Sequence, residues 1–225
     1  MIITSVNRDQ KLLEEAYESI QKNEPLYFGP ALKKKGWMWW LDSKRPFVTI
    51  HSDGSVSIDD NVNLSKQALD VIPFKFRRVK GYFDCEVNRL TSLENCPEIV
   101  EGSFSCKHNN LKTLEGGPTI VKGSYNCEGN RLDSLEGCPE VINGAFICFS
   151  CRLPSLKGGP KIVKGTFHGM QNHFTSLDGA PEVVEGKFYT ENFSDEDYRT
   201  YVKKVLMVNK ELEGSDLDLE VLKDF

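Results

Sequence analysis

The sequence predicts a repeat solenoid, mainly β, with a parallel ladder of about seven short coils between an N-terminal helix-and-strand cap and a C-terminal helical cap. Three observations carry this. First, five kinds of residue recur every 21 positions in one register: Leu90, Leu111, Leu132, Leu153 and Phe174; Leu93 to Leu177; Pro97 to Pro181; Gly81 to Gly186; and an aromatic two residues after each glycine, Phe83, Phe104, Tyr125, Phe146, Phe167 and Phe188. Second, within a unit such as Gly102–Leu111, Phe104 and Cys106 alternate with polar neighbours, the period-2 pattern of a short strand with one buried face. Third, the period stops at both ends, where helical patterns take over, as repeat arrays require of terminal units. The implied organisation is a cap over 1–50, a solenoid over 51–192 and a helix with an acidic tail over 193–225.

Composition narrows the function classes. The 225 residues carry a formal charge of −5, which disfavours binding to a nucleic-acid backbone as the main role. The charge is uneven: residues 1–80 hold 13 Lys/Arg against 10 Asp/Glu, and the remainder hold 15 against 23. No apolar run approaches the ~18 residues of a membrane span, and the N-terminus turns acidic too early for a secretory signal. A cytoplasmic protein is therefore expected. The seven cysteines fit free thiols in a reducing compartment. Cys85, Cys106, Cys127 and Cys148 share one repeat slot that becomes Gly169 and Thr190 later, and Cys96 and Cys138 share a slot with Gly117, Gly159 and Ala180. Both slots select small size, so packing explains the thiols better than metal binding or disulfides.

From the N-terminus, residues 9–23 read as an amphipathic helix, with Leu12, Leu13, Ala16, Tyr17 and Ile20 on one face and Asp9 as N-cap. It either closes the open end of the stack or serves as a partner-binding or targeting segment. The following stretch contains Lys33, Lys34, Lys35, Trp37, Trp39 and Trp40, in which basic and aromatic side chains could hold phosphates and stack bases; the alternative is a pair of strands whose tryptophans cover the end of the stack. Val48–Ile58 reads as a hairpin around Ser52-Asp53-Gly54. Leu69 and Ile72 extend the register backwards, making Val56–Ile58 the expected first strand of the ladder.

Each coil then runs aromatic-x-Cys-x-x-Asn-x-Leu. Asn88, Asn109, Asn130 and Asn172 form a ladder expected to satisfy backbone groups at a tight bend; Cys151 replaces it once. This signature resembles the leucine-rich repeat, with its leading leucines replaced by aromatic and cysteine. The Leu-x-x-Leu-x-x-x-Pro runs are similar to the short repeats of bacterial effector proteins. The stretch from His51-Ser-Asp-Gly-Ser-Val through Ile72-Pro-Phe-Lys-Phe to Gly81-Tyr-Phe-Asp-Cys resembles solenoid proteins of large tailed bacteriophages. That resemblance covers roughly residues 47–190. It implies architecture and a phage origin, and transfers no catalytic residues.

Past Phe193, Ser194-Asp-Glu-Asp197 resembles a capping box, and Tyr198, Tyr201, Val202, Val205 and Leu206 mark one face of a helix closing the last coil. The acidic tail follows.

No phosphate loop, Gly-x-Ser-x-Gly elbow or His-Glu-x-x-His occurs, and no catalytic residue, metal ligand or cofactor is expected. The candidate site lies on the strands. Two outward columns flank the cysteine slot: Asp84, Ser105, Asn126, Ile147, His168, Tyr189, and Glu86, Lys107, Glu128, Phe149, Met170, Glu191. Their later members place Ile147, Phe149, His168, Met170 and Tyr189 together, an apolar patch that marks either a protein-partner surface or ground covered by the C-terminal tail. A non-enzymatic interaction module is the leading expectation, acting on a host or phage protein, with host defence as one target that the phage resemblance implies. The alternatives are a nucleic-acid binder using the Lys/Trp segment and a structural component of a virion.

Overall fold

The computed structural model describes residues 47–213, with side chains through residue 204. The expected helix over 9–23, the Lys33–Lys35 cluster, Trp37, Trp39 and Trp40, and the tail from 214 lie outside the described residues.

The chain enters through a hairpin. Strands β1 (Val48–Ile50) and β2 (Val56–Ile58) pair antiparallel. The turn closes as expected: Gly54 takes φ +76° and its N–H donates to the His51 carbonyl at 2.9 Å. The Asp53 carboxylate accepts from the Ser55 N–H and hydroxyl at 3.1 and 2.6 Å.

From there each coil contributes two strands. One parallel series is β3 (Val62–Asn63), β5 (Phe83–Asp84), β7 (Phe104–Ser105), β9 (Tyr125–Asn126), β11 (Phe146–Ile147), β13 (Phe167–His168) and β15 (Phe188–Tyr189), stacked in that order. The other contains β1, β2, then β4 (Phe76–Val79), β6 (Ile99–Val100), β8 (Ile120–Val121), β10 (Val141–Ile142), β12 (Ile162–Val163) and β14 (Val183–Val184). The expected ladder of seven strands is present, with two corrections. It begins at Val62, which pairs with Phe83, whereas Val56 belongs to the other sheet. The return path also makes a second ladder, because each Ile/Val pair presents one residue inward and one outward, as a sheet requires.

The interior follows from the period. The coil aromatics pack ring on ring, with centroids 5.9 Å apart for Phe83–Phe104, 5.0 Å for Phe104–Tyr125 and 4.8 Å for Phe167–Phe188. Such spacings suit offset-stacked rings. At the corner that joins the two sheets the backbones of neighbouring coils nearly touch. The Gly102 N–H donates to the Gly81 carbonyl at 3.0 Å, and a Cβ on Gly102 would lie 2.7 Å from the Gly81 carbonyl carbon. At a second corner, Gly116, Gly137, Gly158 and Gly179 take φ between +78° and +88°, and Asn95 fills the same slot at +70°; asparagine tolerates the left-handed region better than other side chains.

Helix α1 (Asp195–Glu213) closes the stack. Its capping box forms: the Asp197 N–H donates to the Ser194 hydroxyl at 3.1 Å, and the Asp197 carboxylate accepts from the Ser194 N–H at 2.6 Å. Tyr198 lies flat on Phe188, 4.4 Å between centroids, ending the aromatic stack. In each earlier coil the aromatic N–H donates to a carbonyl of the next coil, as Phe167 does to Lys187 at 2.8 Å. Phe188 has no next coil, and its N–H donates instead to the Asp195 carboxylate at 2.7 Å. Asp195 therefore finishes the ladder, a role its position in the sequence did not disclose.

Candidate functional site

Beneath the candidate surface the coil bend is held by the asparagine ladder. The Asn130 amide donates to the carbonyls of Cys106 and Cys127 at 3.1 and 2.9 Å, and its carbonyl accepts from the Leu111 N–H at 3.1 Å. One side chain thus ties its own coil to the one before it. Where Cys151 takes the slot, its thiol reproduces one of these bonds, donating to the Cys127 carbonyl at 3.1 Å. It offers no side-chain carbonyl, so the Leu132 N–H turns to the Cys151 backbone carbonyl at 3.0 Å. The backbone adjusts as well. Each slot from Gln67 to Asn172 has a left-handed residue just before it, such as His108 at φ +53°, but only the coils with Gln67 or Cys151 in the slot add one just after it, Ala68 at +54° and Arg152 at +63°.

The cysteine column is interior. Cys85, Cys106, Cys127 and Cys148 are fully buried, and burial pushes the thiols of Cys106, Cys127 and Cys148 well above their ordinary range. Cys151 departs in the other direction, chiefly through its thiol contact with Cys127. All seven thiols are free. Among the described residues no group of three His, Cys, Asp or Glu side chains is arranged to hold a metal ion, and no helix is long and apolar enough to cross a membrane.

The two outward columns lie where the alternation places them. In the early coils most of the first column serves the backbone; Ser105 is the exception, its hydroxyl buried without a hydrogen-bond partner among the described residues. Asn63, Asp84 and Asn126 each accept from the N–H two residues on, that of Ser65, Glu86 and Glu128, at 2.9 Å. Asp84 is held above the usual carboxylate range by burial and by Glu86. Beside it Glu86 pairs with Lys107 at 3.0 Å, and Glu128 lies 3.8 Å from His108. In the later coils Ile147, His168 and Tyr189 occupy the first column and accept no such bond; among the described residues the N–H groups of Phe149 and Met170, like that of Lys107 beyond Ser105, have no protein acceptor. Ile147 pairs in register with Asn126 and His168, and His168 with Tyr189. The His168 and Tyr189 rings stack at 5.3 Å. Ile147, Phe149, His168 and Met170 are half-buried and Tyr189 is 43% exposed. All five predicted residues therefore fall on one face of adjacent coils. The helix α1 packs elsewhere: Tyr201 and Val202 flank a cleft of about 500 Å³ with Cys138, Pro160 and Ala180, at the proline corner.

A second apolar column was not expected. Ile99, Ile120, Val141, Ile162 and Val183 face outward from the other sheet, with Ile120 47% exposed. Its signal was available in the repeated Ile/Val pair, each pair sending one side chain in and one out. This column is bordered by paired charges: Arg78 and Lys122 both reach Glu101, and Lys161 reaches Glu140 at 2.8 Å. It runs evenly along the solenoid, as β-branched residues do on any sheet, whereas the later-coil patch is confined to one end.

Comparison of the chain with protein-family models, with curated proteins and with solved structures gave no match.

Proposed function

We propose that this chain is a non-enzymatic protein-interaction module that docks a partner on the later coils, against Ile147, Phe149, His168, Met170 and Tyr189. The observation that carries this reading is the change along one column. Polar residues, of which Asn63, Asp84 and Asn126 cap their own turns and Ser105 does not, give way to apolar and aromatic side chains that gather on neighbouring strands. A confined apolar patch on an otherwise polar sheet face is the usual form of a contact site, and full burial of Ile147, Phe149 or Met170 by a partner is worth about 1.5–3 kcal/mol each relative to full exposure.

The resemblance of residues 47–190 to solenoid proteins of large tailed bacteriophages extends the proposal: a phage-encoded protein in the host cytoplasm that modulates a host or phage protein, with interference in host defence as one such role. The test is capture of partners from the lysate of the host, comparing the natural chain with Phe149→Asp at moderate salt. A protein retained by the natural chain and lost with Phe149→Asp is the expected result. Retention of the same proteins by Phe149→Asp overturns the placement. Nucleic acid that elutes with salt, indifferent to Phe149, would move the function to Lys33–Lys35 and the tryptophans.

A further inference from the structure

We infer that the later-coil site takes an acidic, leucine-bearing segment of its partner protein, with the apolar residues against Phe149 and Met170 and the carboxylates against Arg131 and Arg152. This rests on the docking site proposed above and adds the chemistry of what docks.

The argument starts from charge. The chain is acidic overall, yet the coil from Gly144 to Lys164, which supplies Ile147 and Phe149, contains Arg152, Lys157, Lys161 and Lys164 and neither Asp nor Glu. The column carrying Glu94, Glu115 and Glu136 changes sign at Lys157. Several surface cations have a carboxylate in reach, as Lys75, Lys107, Lys122 and Lys187 do elsewhere and Lys161 does within this coil. Among the described residues Arg131, Arg152 and Lys157 have none, as is also true of Arg77, Arg89 and Lys112.

Position then joins charge to the patch. Arg131, Arg152 and His173 stand 21 residues apart in one exposed column, each three residues beyond Glu128, Phe149 and Met170 and just past the left-handed bend. Stacked coils repeat at about 4.8 Å, so the two arginines occupy equivalent positions on adjacent coils and add like charge to one region of the surface, which favours an anion there. The carboxylates nearest Arg131 in sequence do not reach it: Asp133 makes no ion pair among the described residues, and Glu128 leans towards His108. Arg152 thus lies in the same coil as Phe149, with Arg131 in the coil before it, where the apolar column begins to replace the polar one. Beside them the N–H groups of Phe149 and Met170 remain to be accepted, which further suits a segment rich in carbonyl and carboxylate oxygen. A guanidinium pair binds carboxylates in two-pronged fashion, so geometry as well as charge enters recognition.

The test uses the full chain and four fluorescent probes read by anisotropy: a 12-residue peptide alternating Leu and Glu, the same with Lys for Glu, the same with Ser for Leu, and a 12-nucleotide oligothymidylate. The expected result is that Leu/Glu binds at least tenfold more tightly than the other three. In the double variant Arg131→Glu, Arg152→Glu, the preference should reverse towards Leu/Lys, with an unchanged unfolding midpoint confirming the fold. Equal binding of Leu/Glu and Leu/Lys, both lost in Phe149→Asp, would overturn the acidic assignment and leave the docking site standing. A preference for oligothymidylate, a charge preference unchanged in the double variant, or no binding by any probe would overturn it too. Tenfold tighter binding of Leu/Glu after Leu217→Ser and Leu219→Ser would reassign the site from a partner to the chain's own C-terminal residues.

Discussion

The coils built on Phe83, Phe104 and Tyr125 and those built on Phe146, Phe167 and Phe188 share one interior and differ on the outside. Inward, the same aromatic stack, the same glycine corner and the same leucines continue from one set to the other. Outward, Asp84 and Asn126 bind their own backbone, and Ile147, His168 and Tyr189 do not. The bend differs too, since Cys151 interrupts the asparagine ladder in the first of the later coils. Interior positions answer to a neighbour 21 residues away and cannot drift alone. Outward positions answer only to water or to a partner. The contrast teaches that in a solenoid the departures from period, not the period, carry information about function.

The largest effect should come from the bend. Asn130→Ala removes two donors and an acceptor from buried backbone groups of two coils. Each buried group left without a partner costs about 1–3 kcal/mol, so a loss of about 3 kcal/mol or more is expected. Cys151→Ala, at the equivalent slot, removes one thiol donor and should cost about 1 kcal/mol. Urea unfolding of both variants checks the difference. Equal losses would mean that the asparagine ladder holds the early coils no better than the thiol holds the later ones.

An intermediate effect, of opposite sign, is expected where the two sets meet. Tyr125 is the one tyrosine in the aromatic column from Phe83 to Phe188; its hydroxyl is fully buried without a hydrogen-bond partner, and burial drives its pKa well above the ordinary value. It points towards Gly117, where an added Cβ would lie 3.3 Å from the hydroxyl oxygen. Tyr125→Phe removes an unsatisfied polar group and restores the residue its neighbours use. The variant should be more stable by about 1 kcal/mol, read as a higher urea midpoint. A loss of stability would show that the hydroxyl has a partner after all, with buried water the first candidate.

Much of this was legible in the sequence because a repeat states each structural requirement several times. The parallel aromatic ladder, the buried thiols, the Asn88-to-Asn172 bonds, the hairpin at Gly54 and the Ser194 capping box all follow from residue type at fixed spacing. What was missed had no repetition to announce it or was mistaken for return path. Val62 is a strand residue whose neighbours Asn61 and Asn63 read as turn, so Val56 seemed the better start. The Ile/Val pairs are too short to read as strands alone; only the stacking of five such pairs makes them a sheet. Asp195 closes the ladder through a bond that exists only because the coils stop there. The columns that carry Ile147, Phe149, His168, Met170 and Tyr189 could be read from the spacing, whereas the absence of a carboxylate beside Arg131 and Arg152 among the described residues could not.

The smallest effect on stability should accompany a complete effect on binding, and this is the sharpest way to separate the two sets of coils. Ile147 pairs in register with Asn126, whose carbonyl accepts the N–H of Glu128 at 2.9 Å. Ile147→Asn would let the later coil do the same for Phe149, whose N–H has no acceptor now. The new bond should contribute about 0.5–1.5 kcal/mol. Loss of a half-buried β-branched side chain from a strand opposes it with a similar magnitude. Urea unfolding should therefore find the variant within about 1 kcal/mol of the natural chain, while the amide of Phe149 exchanges with solvent more slowly. Capture of the partner should nonetheless fail, because an apolar member of the patch has become polar. Should stability fall by several kcal/mol, Ile147 belongs to the core in function and its outward position is incidental. Should stability hold and capture persist, the early and later coils differ in chemistry without differing in purpose, and the docking surface must be sought along Ile120 and Val141 on the other sheet.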